Sequence, residues 1–171
     1  MDAEKFTKKS LEVIESCEKL AYEYNNQELT QAHLMYALVT VEDSLIAKLL
    51  TNMGINMDAF TGECEKLVAN RPKVSGGQLF TSPEFSKALI QAEKEAKQMG
   101  DDYISVEHIF LGLLEKADKD IKRVINAYGI TRGKFLEVLA NIRGNRKVES
   151  DNPEDTYDAL NKYGYNLVER A

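Results

Sequence analysis

The sequence is poor in the residues that break helices and in those that cross-link chains. Its 171 residues include three prolines, two cysteines and no tryptophan. Two cysteines are too few for the disulfide framework of a small secreted scaffold, so a reducing, cytoplasmic location is expected. No apolar run is as long as a membrane span, and the first residues lack the basic and apolar regions of a secretory signal. We therefore expect no membrane partner.

Positive charge is also scarce. Lysine and arginine number 22 against 28 aspartates and glutamates, which leaves a net charge of −6. Binding to a phosphate backbone or to an anionic lipid surface requires clustered basic residues. The composition therefore argues against nucleic acid as a partner.

The most informative feature of the sequence is an internal repeat. The only two histidines, His33 and His108, are 75 positions apart (108 − 33). Between Thr30 and Ala69 this offset gives 7 identities in 40 positions, whereas average composition would give about two or three. The six other identical pairs are Leu38/Leu113, Asp43/Asp118, Ile46/Ile121, Gly54/Gly129, Ile55/Ile130 and Phe60/Phe135. Upstream, Phe6-Thr7 matches Phe85-Ser86 at an offset of 79, which predicts a four-residue length difference before the histidine.

Each copy predicts four helices, so the fold class is all-α: two four-helix units related by a pseudo-two-fold axis. Repeat one covers about residues 6–70 and repeat two about 82–143, joined by a linker over 71–81. Apolar residues recur at helical spacing in each unit. Residues 144–171 read as a polar linker with a short amphipathic helix starting near Asp155.

Helix boundaries are marked by capping residues in both copies. Thr30 and Ser105 are suited to N-cap the second helix of each unit, and Asp43 and Asp118 the third. Gly54 and Gly129 follow the third helices, where a left-handed residue commonly ends a helix. Asn56 and Ser82, the latter followed by proline, predict two further helix starts.

The two histidines predict structural roles. Each lies three residues after a capping residue, His33 after Thr30 and His108 after Ser105. This is where a capping box places Glu or Gln, and a neutral imidazole could accept the N–H of the cap residue instead. The spacing of histidines and cysteines matches no zinc motif, so we expect no metal.

No arrangement of residues predicts catalysis. Cys17 and Cys64 match Ala96 and Leu139 of the other copy, which suggests small buried core residues rather than nucleophiles. There is no nucleophile elbow and no glycine-rich phosphate loop ending in Gly-Lys-Ser/Thr. We expect a non-catalytic chain without a cofactor of its own.

The repeat instead predicts a groove between the first helices of the two units. Thr7, Leu11 and Leu89 are candidates for this seam, although each could equally belong to the core. Phe85 is nearby and is favoured as a core residue.

Three short motifs stand out: Phe-Thr at the start, Leu-Thr-x-x-His-Leu in the first copy and Ser-Val-Glu-His-Ile in the second. Together with the two-copy pattern they resemble the Clp repeat domain, which stands at the N-terminus of ring-forming AAA+ unfoldases. Residues 70–77 and 152–160 are similar to the ClpB branch, the protein disaggregases. The resemblance implies that a nucleotide-binding domain follows in the full-length parent, which would use ATP.

The resemblance also implies a function. Such domains recruit unfolded or aggregated polypeptide in a shallow apolar groove and pass it to the parent's AAA+ ring, in cooperation with the DnaK system. The fragment itself is expected to be monomeric. The alternative is an adaptor-docking N-domain of a Clp protease unfoldase, which shares the repeat.

Groove residues can be assigned from the resemblance position by position. Thr7 matches a groove threonine, Leu89 an apolar groove position, and Asp101 and Glu107 acidic ones. His108 departs from the pattern, because some relatives carry an aliphatic residue there. Together with Leu11 from the seam, these are the expected substrate-binding residues.

Overall fold

The computed structural model describes residues 2–74, 76–144 and 146–153, and in them two sets of four helices follow one another. The all-α prediction is confirmed, with the addition of two strands of two residues each. The elements are α1 (Lys8–Glu23), β1 (Glu28–Leu29), α2 (Gln31–Thr40), α3 (Leu45–Asn52), α4 (Met57–Ala69), β2 (Phe80–Thr81), α5 (Pro83–Gln98), α6 (Val106–Glu115), α7 (Lys119–Ala127) and α8 (Arg132–Arg143). The terminal helix expected from Asp155 onward lies outside the described residues.

The two repeats keep one offset of 75 residues from the first helix onward. Helices α1 and α5 both have 16 residues and both begin after a hydroxyl N-cap, Thr7 in the first and Ser82 in the second. The predicted four-residue length difference is therefore wrong. Phe6 precedes its helix whereas Phe85 lies inside the first turn of α5, so their match at an offset of 79 pairs unrelated positions.

The repeats are interlocked by their leading segments. Phe6 forms a parallel bridge with Ile104 of repeat two, and the Thr7 N–H donates to the Ile104 carbonyl at 3.0 Å. Reciprocally, β2 pairs in parallel with β1, and the Ser82 N–H donates to the Leu29 carbonyl at 2.9 Å. The segment before the first helix of each repeat thus pairs with the residues before the second helix of the other repeat. These pairings provide hydrogen-bond partners for backbone groups that precede the helices.

Helices α2 and α6 form the centre of the core and are buried around most of their circumference, as expected for helices with few polar residues. A polar side chain at the start of α2 joins this helix to repeat two. The buried Gln31 amide donates to the carbonyls of Glu84 and Lys116 at 2.9 and 2.8 Å, and its oxygen accepts the Asp118 N–H at 2.7 Å. This side chain fixes the start of α2 against α5 and α7.

Most predicted caps are confirmed, and one is wrong. Asn56, Ser82 and Asp118 each accept a first-turn N–H. Asp43, however, has a φ of 54° and does not cap α3. The Ser44 hydroxyl does so, accepting the Ala47 N–H at 3.0 Å. The Asp43/Asp118 identity therefore does not reflect a shared role.

Both cysteines are buried in the core, as predicted. At the true offset Cys17 corresponds to Ala92 rather than to Ala96, but both alanines are buried and the conclusion stands. Burial raises the pKa of the Cys64 thiol to about 12, which suppresses its thiolate. None of the helices in the described ranges is long and apolar enough to cross a bilayer.

Candidate functional site at the seam between the repeats

The six expected substrate-binding residues divide into two groups by exposure. Thr7, Glu107 and His108 have no exposed surface, and Asp101 is 8% exposed. The other two, Leu11 and Leu89, are half-buried and pack against the core. These four polar residues therefore lie beneath the surface rather than lining an open groove.

Both histidines complete capping boxes, as the sequence predicted. The N–H of Thr30 donates to His33 Nδ1 at 3.0 Å, and the N–H of Ser105 donates to His108 Nδ1 at 2.9 Å. Because Nδ1 accepts a backbone N–H, the proton of each neutral ring resides on Nε2. In His33 this nitrogen donates to the Asn26 side-chain oxygen at 2.8 Å.

Burial, and to a smaller extent the nearby Arg71 charge, lowers the pKa of His33 to about 4. The ring is therefore neutral at physiological pH. The neutral form is also the one that the capping box requires, since a protonated Nδ1 could not accept the Thr30 N–H.

Repeat two differs from repeat one by a buried cluster of charges. His108 Nε2 lies 2.7 Å from Asp101 Oδ2. The other carboxylate oxygen, Asp101 Oδ1, accepts a hydrogen bond from Arg143 and, at 3.0 Å, one from the Val148 N–H. Burial raises the pKa of Asp101, but these hydrogen bonds outweigh it, so the pKa lies below its usual range. The Asp101 carboxylate is therefore held ionised inside the protein.

Glu107 is the second carboxylate of this cluster. Its Oε1 accepts a hydrogen bond from the Ser105 hydroxyl, while Oε2 has no hydrogen-bond partner and lies 3.6 Å from Arg143 Nη1. Arg143 thus faces both carboxylates and is itself only 3% exposed. Sequence reasoning did not identify Arg143. The sequence did contain an indication of its burial: Arg143 lies four residues after the buried Leu139, which places it on the inner face of α8.

Ser105, His108 and Asp101 superficially resemble a Ser-His-Asp triad. The Ser105 oxygen is 3.0 Å from His108 Nδ1, but its hydroxyl donates to Glu107 and Nδ1 already accepts a backbone N–H. The imidazole is therefore not placed to remove the serine proton, and neither residue is exposed to a substrate. The arrangement stabilises a helix start and offers no nucleophile.

Thr7 joins the start of α1 to repeat two through a short hydrogen-bond chain. Its hydroxyl accepts the Ser10 N–H at 3.2 Å and donates to the Ser10 oxygen at 3.0 Å. The Ser10 hydroxyl in turn donates to the Ile104 carbonyl at 3.0 Å. Thr7 therefore fixes the start of α1 against the loop that carries Asp101. Phe85 is 2% exposed and belongs to the core, as favoured from the sequence.

The apolar candidates for the seam occupy related positions in the two repeats. At the offset of 75, Leu89 on α5 corresponds to Ile14 on α1, and both are half-buried against the core. Leu11 lies one turn before Ile14 and is exposed to a similar degree. Half-buried aliphatic side chains on the first helix of each repeat can provide a shallow apolar contact surface. No group of three or more His, Cys, Asp or Glu suited to a metal ion occurs within the described ranges.

Comparisons with known proteins agree on one family. Residues 5–128 match the Clp repeat (R) N-terminal domain. The whole chain is 42% identical to part of a ClpB chaperone of Nitratidesulfovibrio vulgaris and 41% to one of Clostridium tetani. It spans about a fifth of the length of these relatives.

A solved structure shows the same fold. The Hsp104 N-terminal domain from Candida albicans superposes with a TM-score of 0.76 at 21% identity, covering 86% of this chain and 97% of that one. The chain therefore belongs to the family of Clp repeat N-terminal domains, and it is similar along its whole length to the N-terminal region of ClpB chaperones.

Proposed function

We propose that this domain recruits unfolded or aggregated polypeptide for an ATP-driven disaggregase, by binding it at the seam between the repeats. The observation that carries the proposal is that Leu11, Ile14 and Leu89, on the first helices of the two repeats, pack against the core and are each still partly exposed. Apolar side chains that are normally buried in folded proteins are the feature that distinguishes an unfolded chain. The names of the ClpB relatives as chaperones support the same role.

In this proposal the buried polar residues support the binding surface by fixing the helices that carry or adjoin it. Thr7 fixes the start of α1, while Asp101, His108 and Glu107 hold the start of α6 through Ser105 and Arg143. Replacing them would change binding by shifting the two helix starts. Their effects on affinity should therefore be accompanied by losses of stability, unlike those of a direct contact residue.

Binding by this route should be weak and tolerant of salt. A shallow surface buries little area, and the ligand loses conformational entropy on binding, so micromolar or weaker dissociation constants are expected. Salt does not screen apolar contacts, whereas the attraction of basic peptides to this acidic domain would decline as salt screens it.

The other roles of the parent protein follow as part of this proposal. The parent's AAA+ ring would bind ATP and receive the polypeptide, and the DnaK system would act through the full-length protein. The fragment by itself would be a cytoplasmic monomer with no nucleotide turnover. Light scattering and an ATPase assay on the pure chain test the last two points.

Leu89→Ser tests the binding surface directly. We titrate an unfolded model protein into the labelled chain, follow its amide chemical shifts, and expect the variant's dissociation constant to rise about five-fold, or about 1 kcal/mol. The matched control is Ile90→Ser, since Ile90 is the next residue of α5 and is 50% exposed. Thermal melts must show that both variants are folded.

The seam assignment would be wrong if folded Leu89→Ser bound as tightly as the parent chain. It would also be wrong if the shifted amides clustered on α3, and adaptor docking would then be favoured instead.

A further inference from the structure

We propose that repeat one carries a second docking site, at the turn between α1 and α2, for an extended polypeptide segment that presents a β-branched aliphatic residue. The site is separate from Leu89 and the seam, and the inference does not depend on the proposed function. It follows from a difference between the repeats: repeat two fills the equivalent place with its own chain, and repeat one leaves it open.

Repeat two provides the template. After α8 the chain returns along the turn that follows α5, and Val148 docks there with no exposed surface. Its N–H donates to Asp101 Oδ1 at 3.0 Å, and its carbonyl accepts the Asp102 N–H at 2.8 Å. An extended segment is thus held by two hydrogen bonds from one residue, with the aliphatic side chain buried.

The equivalent donor in repeat one has no acceptor. Gln27 occupies the position of Asp102 at the offset of 75. Its carbonyl accepts the Phe80 N–H at 3.0 Å, but its own N–H makes no hydrogen bond to any of the described residues. Gln27 is half-buried and lines a recess, so its backbone donor is positioned to bind another chain.

The chain that follows α4 takes a different route and does not fill this place. The Val74 N–H donates to the Asn25 carbonyl at 2.8 Å, and the Asn26 amide donates to the Pro72 carbonyl at 3.3 Å. The Val74 side chain remains 39% exposed, in contrast to the buried Val148.

An apolar recess lies at this position. A cavity of about 310 Å³ is lined by Gln27, Arg71, Val74 and Phe80 among others, at the small end of the range for ligand pockets. Val74 also lines an adjoining depression together with Tyr22.

Exposed apolar side chains are concentrated around this recess. Four large apolar side chains are exposed in the described part of the chain. Two of them line the recess, Val74 at 39% and Phe80 at 51%, and a third, Tyr22 at 66%, lines the adjoining depression. The fourth, Ile90, lies on α5. Clustered exposed apolar side chains indicate an interaction surface.

The occupant that fits is an extended polypeptide segment with valine or isoleucine at its centre. Its backbone carbonyl would accept the Gln27 N–H, as that of Val148 accepts the Asp102 N–H, and its side chain would enter the recess beside Phe80. In this mode the main-chain hydrogen bond provides affinity and the pocket selects the side chain. Val148 of a second copy is not available, because it is buried in its own repeat two.

The chain itself supplies the probe. A blocked peptide with the sequence of residues 146–150, Arg-Lys-Val-Glu-Ser, is titrated into the isotope-labelled 171-residue chain, beside a matched peptide with aspartate in place of valine. We expect the amide signals of Gln27 and Phe80 to shift, with a dissociation constant of about 1 mM or lower for so short a ligand. The aspartate peptide should cause no shift at the same concentration.

Matched variants locate the binding. Phe80→Ser should weaken the valine peptide about five-fold or more, while Ile90→Ser, similarly exposed but remote, should not change it. Leu89→Ser should also leave it unchanged, so failure of this site and failure of the seam can be told apart. Equal binding by folded Phe80→Ser, or shifts confined to the seam, would overturn the inference. A concentration-dependent shift of Gln27 without peptide would overturn it in favour of self-association.

Discussion

In both repeats the histidine forms equivalent hydrogen bonds, but its side-chain partner is neutral in one repeat and charged in the other. Repeat one uses the neutral amide of Asn26 as the partner of His33, and repeat two uses the carboxylate of Asp101 as the partner of His108. A buried amide needs only hydrogen bonds, whereas a buried carboxylate also needs a compensating charge, which Arg143 provides.

The charge difference extends to the segments that follow the repeats. Asp101 also accepts the N–H of Val148, so the chain after α8 is held against repeat two. That chain continues to the start of α1, where the Lys8 N–H donates to the Asp151 carbonyl at 2.7 Å. At Asn26 the amide donates to Pro72 instead, and the turn beside it stays open. One exchange of Asn for Asp thus accompanies a closed turn in one repeat and an open turn in the other.

The largest expected effect is that of Arg143→Met, which removes the charge that repeat two needs and repeat one does not. Asp101 and Glu107 would be left buried without compensation, and the free energy of unfolding should fall by about 3–5 kcal/mol in urea denaturation. The control is Arg123→Met, whose side chain is 64% exposed in a surface pair with Asp120. It should change stability by less than about 1 kcal/mol. Similar losses in the two variants would contradict the difference we draw between the repeats.

The next effect concerns pH and arises in repeat one. The folded-state pKa of His33 is about 4, below the ordinary value of 6.5, so folding favours the neutral ring. The contribution of neutral His33 to the free energy of unfolding is present above pH 6.5 and is lost as the pH falls from 6.5 towards 4. The loss should reach about 3 kcal/mol at the acid end, from about 1.4 kcal/mol per pKa unit.

His33→Gln isolates this contribution. Glutamine can still complete a capping box but does not titrate, so the variant should lose less stability than the parent between pH 7 and pH 4. Urea denaturation of both chains at several pH values measures the difference. Parallel curves for the two chains would show that His33 is not responsible.

The smallest expected effect is that of removing an N-cap that occurs at the same position in both repeats. Thr7 and Ser82 are equivalent N-caps of α1 and α5, so Thr7→Ala and Ser82→Ala should each cost about 1 kcal/mol in thermal or urea unfolding. Thr7→Ala should cost slightly more, because Thr7 also supports the Ser10 bond to Ile104. A loss in only one of the variants would contradict their equivalence.

Sequence reasoning succeeded where signals are local. The histidine capping boxes depend on residues three positions apart, so the sequence of each copy contained both partners. It failed at Asp43 because the neighbouring Ser44 could cap the same helix, and only the backbone conformation distinguishes them. It also misaligned α1 with α5, because apolar positions one helical turn apart look alike.

The sequence by itself determined an all-helical tandem repeat and the positions of most helix ends. These follow from periodicity and capping, which act over one or two turns. Only the tertiary structure decided which polar residues are buried together. Arg143 meets Asp101 across 42 positions, and the leaders of the repeats cross over to each other. Such pairings depend on how helices pack, and burial then decides whether a polar residue can contact a ligand or must support those that do.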